Sequence, residues 1–195
     1  MASLARAPRS APTDPDAFIA WESKQQRRYE LIAGEIYLMA GGRLAHDRIS
    51  MNVARLLGNA LEGSPCSVHG SNLKVRSPSG DVMYPDAFVR CGPADDDATF
   101  IEDPVLVVEV LSPRTKRYDM SRKRWAYMVI PSLRHMLFVV PELGVIEVAS
   151  PAGEGRWLST LVRDPAATVT LESLGVELRV ADIYAGTDVA RTAQA

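Results

Sequence analysis

An apolar run without alternation, Pro104-Val105-Leu106-Val107-Val108-Glu109-Val110-Leu111-Ser112, reads as a strand buried on both faces. Upstream, Tyr84-Pro85-Asp86-Ala87-Phe88-Val89 also reads as a strand, and the turn-forming stretch Gly92-Pro93-Ala94-Asp95-Asp96-Asp97-Ala98 separates the two. Toward the N-terminus, Thr13-Asp14-Pro15-Asp16 combines a capping threonine, an acidic first turn and an early proline. It predicts a helix running to about Gln26. Tyr29 to Ile32 and Glu35 to Met39 flank Ala33-Gly34 and predict a β-hairpin. From Leu44 to Leu61, the residues Ile49, Val53, Leu56, Leu57 and Ala60 recur at helical spacing, and Gly63-Ser64-Pro65 ends the element. Val68 to Val75 reads as one strand. A helix is predicted from about Tyr118 to Val129, with Pro131 as its stop. Strand signals follow at His135 to Val140, Val145 to Val148, Trp157 to Val162, Thr168 to Leu171 and Val176 to Val180. The order predicts an α+β domain with a mixed sheet.

One residue interrupts the most apolar of these elements. Glu109 lies within the buried run, where a lone carboxylate costs several kcal/mol unless it is paired, protonated or bound to a cation. If the two strands pair antiparallel about a loop centred near Asp97 and Ala98, Asp86 and Glu109 fall opposite each other. Opposite residues share a face at about 5 Å. A divalent cation is the simplest remedy for two facing carboxylates. A shared proton or a structural arginine pair would also serve.

Length and charge narrow the classes. The 195 residues suit one domain, with residues 1–12 read as an unstructured tail and 13–195 as the folded unit. No apolar run approaches the roughly 18 residues of a membrane helix, and no signal-peptide pattern opens the chain. Cys66 and Cys91 are too few for a disulfide framework, which points to a reducing cytoplasm. A net charge of -2 excludes a uniformly basic nucleic-acid binder. It leaves room for a local basic strip, and Arg114, Lys116, Arg117, Arg122, Lys123 and Arg124 supply one; a solvated loop and helix face is the alternative.

Pro85-Asp86, the run Val107 to Pro113, and then Thr115, Asp119, Lys123 and Tyr127 resemble the Uma-two family. These are restriction-endonuclease-like proteins of bacteria in the PD-(D/E)XK nuclease superfamily. Tyr29-Glu30-Leu31, Gly34-Glu35, His46 and the stretch Thr168 to Tyr184 extend the likeness over most of the chain. The resemblance implies a restriction-endonuclease-like mixed β-sheet flanked by helices, with additional C-terminal strands. It also implies a metal-dependent endonuclease acting on DNA. Asp86, Glu109 and the Val110 carbonyl would hold Mg2+ or Mn2+, and the basic strip would meet the phosphate backbone. The superfamily pattern places a lysine two residues after the glutamate, where this chain has Leu111. Some members supply that lysine from the next helix, and Lys123 is the candidate; a surface pair with Asp119 is the alternative. Tyr127 shares the helical face of Lys123 at i+4. Glu30 and Glu35 are candidates for an outer carboxylate. His46 suits either a contact to metal-bound water or phosphate, or a helix-start structural role. His69 and His135 read as structural. Homodimerisation would suit cutting two strands. The competing reading is a nuclease-like fold without catalysis, serving as a nucleic-acid or protein binding module.

Overall fold

The computed structural model describes residues 11–39, 41–93, 95–111 and 119–189. Most of the expected N-terminal tail therefore lies outside the described residues.

Helix α1 spans Pro15–Glu22. Asp14, not Thr13, caps it: its carboxylate accepts from the Ala17 amide at 2.9 Å, which satisfies a first-turn donor that nothing within the helix can reach. Strands β1 (Tyr29–Ile32) and β2 (Glu35–Leu38) form the expected hairpin. Its turn places Ala33 and Gly34 at φ 50° and 73°, the two positive values of a type I′ turn. Alanine tolerates that region poorly, and its amide is held by the Asp81 carboxylate at 2.6 Å. Helix α2, Leu44–Ala60, buries Ile49, Val53 and Leu57 along one stripe.

The single strand expected from Val68 to Val75 is two strands in different sheets. β3 is Cys66–Gly70 and β4 is Lys74–Arg76. A turn at Gly70, closed from the Leu73 amide, separates them. Next come β5 (Val82–Met83), β6 (Ala87–Cys91), β7 (Phe100–Ile101) and β8 (Pro104–Val110). The helix expected after β8 is a π-helical turn, Asp119–Lys123, continuing into the short α3, Arg124–Met128. Strands β9 (His135–Val140), β10 (Val145–Pro151), β11 (Trp157–Val162), β12 (Thr168–Leu171) and β13 (Val176–Arg179) follow, and α4 is Val180–Ile183.

Six strands form the main sheet in the order β11-β10-β9-β8-β6-β3, five form a second sheet in the order β2-β1-β5-β4-β7, and β12-β13 is a separate hairpin. β8 lies between β6, antiparallel, and β9, parallel. Both faces of β8 are covered, as its unbroken apolar run requires. On one side Leu106, Val108 and Val110 pack with Ile49, Val53 and Leu57 of α2. On the other, Val107 and Leu111 pack with Tyr127, Ile130 and Met136.

Cys66 and Cys91 occupy opposed positions of the β3–β6 ladder and are joined as a disulfide. The two cysteines thus make a single cross-strand staple, a pairing that no local pattern in the chain announces. His69 stacks on Phe88, and His135 is held by Ser150 and the Ser173 amide, so both have structural partners. Among the described residues, no helix is long and apolar enough to cross a membrane.

Candidate active site at the start of strand β6

The site begins with register. β6 meets β8 as Ala87↔Val108, Phe88↔Val107 and Val89↔Leu106, and a bulge after Val89 shifts the far end. Extended by one step, the ladder brings Asp86 beside Glu109. Asp86 lies at a bend just before β6. Its amide donates to the Val108 carbonyl at 3.0 Å, and its carboxylate Oδ2 accepts from the Val110 amide at 2.7 Å. The Asp86 side chain is therefore clamped alongside the residue that follows Glu109.

Glu109 is almost wholly buried, at 5% exposure. Its charge is answered from the segment after β8. Lys123 Nζ donates to both carboxylate oxygens, at 3.1 and 3.3 Å, and the Tyr127 hydroxyl donates to Oε1 at 2.7 Å. Lys123 also reaches Glu30 of β1, at 2.8 Å. One buried ammonium thus bridges carboxylates from two different sheets. The widened π turn lies where Lys123 must project inward, and such turns are frequent at functional sites. Tyr127 is completely buried, and burial first, then the neighbouring Glu109 charge, pushes its hydroxyl well above the ordinary phenol range. It stays protonated and acts as a donor to Glu109. Asp86 also adds to that upward push, which puts both acids within electrostatic reach of one hydroxyl.

His46 comes from the first turn of α2. Its Nε2 lies 3.3 Å from Asp86 Oδ2. The Asp86 hydrogen bond, with a smaller contribution from the Val110 backbone, raises its pKa above the ordinary 6.5 against the opposing effect of burial. Gly42 permits this approach: a Cβ there would stand 2.9 Å from the imidazole Nδ1. Because the folded pKa is raised, the His46–Asp86 pair contributes stability that is complete below pH 6.5. That contribution is lost as pH rises through the higher folded value. In Asp86→Asn protein, the His46 titration followed by NMR is expected to move downward. The stability gap to wild type is expected to shrink from pH 6 toward pH 9. A His46 titration that Asp86→Asn leaves in place would break the assignment.

A second buried group backs the first. Glu30 accepts from the Tyr84 amide at 2.8 Å, and the Tyr84 hydroxyl donates to both oxygens of Glu22, at 3.1 Å each. Lys74 closes the group with a 3.2 Å bridge to Glu22. Sequence reasoning misses Glu22, Lys74 and Tyr84 as a group. A lysine between the apolar Leu73 and Val75 is the one signal the chain offers for it.

The outer candidates divide. Glu35 pairs with Arg122 at 3.0 Å and with the Tyr37 hydroxyl, which ties the hairpin to the π turn. Arg122 remains partly open to solvent. Arg124 turns inward instead of lining a basic strip. It bridges to Glu147 at 2.7 Å and lies over the Phe138 ring. Arg114, Lys116 and Arg117 lie outside the described residues, as do Thr115 and Pro113.

Among the described residues, no three His, Cys, Asp or Glu side chains cluster as a metal cage. The donors that Asp86, Glu109 and the Val110 carbonyl offer are two carboxylates and a backbone oxygen. That set fits Mg2+, which takes one or two carboxylates and keeps several waters.

Known proteins resemble this chain in sequence or in fold. A Synechocystis protein, slr1290, is 35% identical over 174 residues, covering 88% of this chain and 91% of its own. A second, sll1609, is 26% identical over 147 residues, covering 73% and 83% respectively. Both carry the description "uncharacterized protein". The crystal structure of a "putative nuclease belonging to DUF820" from Anabaena variabilis matches with a TM-score of 0.74 at 17% identity. It covers 89% of this chain and 98% of its own. The fold is accordingly restriction-endonuclease-like, a mixed α+β architecture. The sequence model of Uma2, described as "Putative restriction endonuclease", matches residues 15–181, and the chain belongs to that family.

Proposed function

We propose that this protein is a metal-dependent endonuclease that hydrolyses DNA phosphodiester bonds. The observation that carries the reading is that Asp86, just before β6, holds the amide next to Glu109, while Lys123 from the turn after β8 meets the Glu109 carboxylate. Family membership and the description of the Anabaena neighbour as a "putative nuclease" support the same reaction class.

In this reading Asp86, Glu109 and the Val110 carbonyl hold Mg2+ or Mn2+. The ion supplies Lewis acidity toward the phosphate and a lowered pKa for a bound water. The chain's own residues do the rest. Tyr127 and Lys123 fix the Glu109 carboxylate in one orientation, which limits its reorganisation. In this reading Lys123 takes the part of the lysine that the superfamily pattern sets two residues after the glutamate, where this chain has Leu111. Its ammonium, fixed by Glu30 from the other side, is placed to stabilise charge developing beside Glu109. The Val110 amide and His46 hold Asp86. Arg122, with the stretch from Arg114 to Arg117, supplies phosphate contacts.

The test is nicking of supercoiled plasmid with Mg2+ or Mn2+, comparing wild type with Asp86→Ala. Metal-dependent nicking confined to wild type supports the reading. Wild-type protein inert across several metals and both DNA and RNA would favour a binding module.

A further inference from the structure

The main sheet ends on β11, and among the described residues no strand pairs with the outer edge of β11. Its sequence, Trp157-Leu158-Ser159-Thr160-Leu161-Val162, holds no charge and no proline. Its six-pair ladder to β10 is regular, without a bulge. Positions 158 to 161 are all exposed, with Leu158 at 66% and Leu161 at 53%. Edge strands are ordinarily blunted by charge, proline, bulges or cover. Among the described residues this one has none of these along its length, and charges stand just beyond its ends, at Arg156, Arg163 and Asp164.

Those flanking charges identify what pairs with it. When a strand pairs antiparallel with a copy of itself, the twofold axis is normal to the sheet. Residues of the same face then meet, and the register is centred on one residue. Centring on Thr160 sets Thr160 against Thr160, Leu158 against Val162, Ser159 against Leu161 and Trp157 against Arg163. It also sets Arg156 against Asp164. That register gives two opposite-charge pairs, two aromatic–arginine pairs and two apolar pairs, all of which stabilise adjacent strands. Centring on Ser159 sets Glu154 against Asp164, two like charges. Centring on Leu161 sets Leu158 against Asp164. Charge and hydrophobicity therefore agree on one register out of three.

We propose that β11 is an isologous interface with a second copy of this chain, its twofold at Thr160, which joins two six-stranded sheets edge to edge. The interface borders α3, whose Arg124 reaches Ser159 Oγ at 3.3 Å and whose Trp125 is 69% exposed. This interface does not depend on the nuclease reading.

Sedimentation velocity of the full chain over a concentration series tests it. The expected species has twice the 21.3 kDa chain mass. Thr160→Arg sets two like charges at the axis and is expected to weaken association at least tenfold, with little change in melting temperature because position 160 is exposed. Thr160→Cys is expected to give a disulfide-linked dimer on oxidation. Leu158→Cys is not, because its counterpart is Val162. Cys66 and Cys91 are bonded to each other, so the introduced thiol stands alone. A chain that sediments at single mass throughout would overturn the proposal. So would a dimer insensitive to Thr160→Arg, equal cross-linking at 158 and 160, or open-ended assembly.

Discussion

Glu109→Gln protein is expected to fold normally and to cleave DNA about a thousandfold more slowly than wild type. The substitution keeps the shape of a side chain sealed in the sheet and removes only its charge. Loss of one anionic ligand weakens both the grip on the cation and the activation of its water. If that costs about 4 kcal/mol of transition-state stabilisation, the rate falls roughly a thousandfold. The fold has reason to survive, because the variant leaves Lys123 with Glu30 as its counter-charge. The Tyr127 hydroxyl can still donate to the amide oxygen. The measurement is plasmid nicking by protein freed of contaminating nucleases, with circular dichroism as the check on folding. A variant that nicks as fast as wild type would remove Glu109 from the chemistry.

Lys123→Met is expected to cost stability as well as rate. Lys123 is the ammonium between two buried carboxylates, Glu30 at 2.8 Å and Glu109 at 3.1 Å. Methionine retains most of the stem and deletes the charge, leaving two anions facing each other inside the protein. Removing one member of a buried ion pair typically costs about 3–5 kcal/mol, because the charge left behind is uncompensated. Urea unfolding should show that loss as a lowered midpoint. A divalent cation offers partial replacement: ligand at a hundredfold its dissociation constant stabilises by about 2.7 kcal/mol. The variant's midpoint is therefore expected to rise with Mg2+ more than the wild-type midpoint does. Equal stability of variant and wild type would mean that the ammonium does not balance these acids.

What was legible in sequence followed from burial. A carboxylate inside an apolar strand demanded partners, and counting residues across the preceding loop indicated where Asp86 would lie. The bulge after Val89 falls between the site and the loop, so the site end keeps the expected register while the loop end does not. Helical spacing brought Lys123 and Tyr127 to one side, and both meet Glu109, although the first turn is π rather than α. Other features depended on distant contacts that no local pattern encodes. Gly70-Ser71-Asn72 carries turn residues, yet the apolar alternation on either side reads through it, so β3 and β4 looked like one strand. Arg124 resembled its basic neighbours in sequence. Only the fold sets it over Phe138 and against Glu147. The pairing of Glu22 with Lys74 joins a helix end to a strand that periodicity alone does not connect.

The position of the lysine also bears on the order in which the protein is made. Synthesis from the N-terminus delivers Glu30, Asp86 and Glu109 first, and the ammonium that balances Glu109 emerges 14 residues behind it. The strand that covers the second edge of β8 comes later still, at His135–Val140. Until both have emerged, a nascent chain holds the acids without the full means to bury them, and β8 remains an open, apolar edge. A ribosome-bound intermediate of this length is therefore the stage at which the chain most needs shielding, and no shorter fragment carries an assembled site.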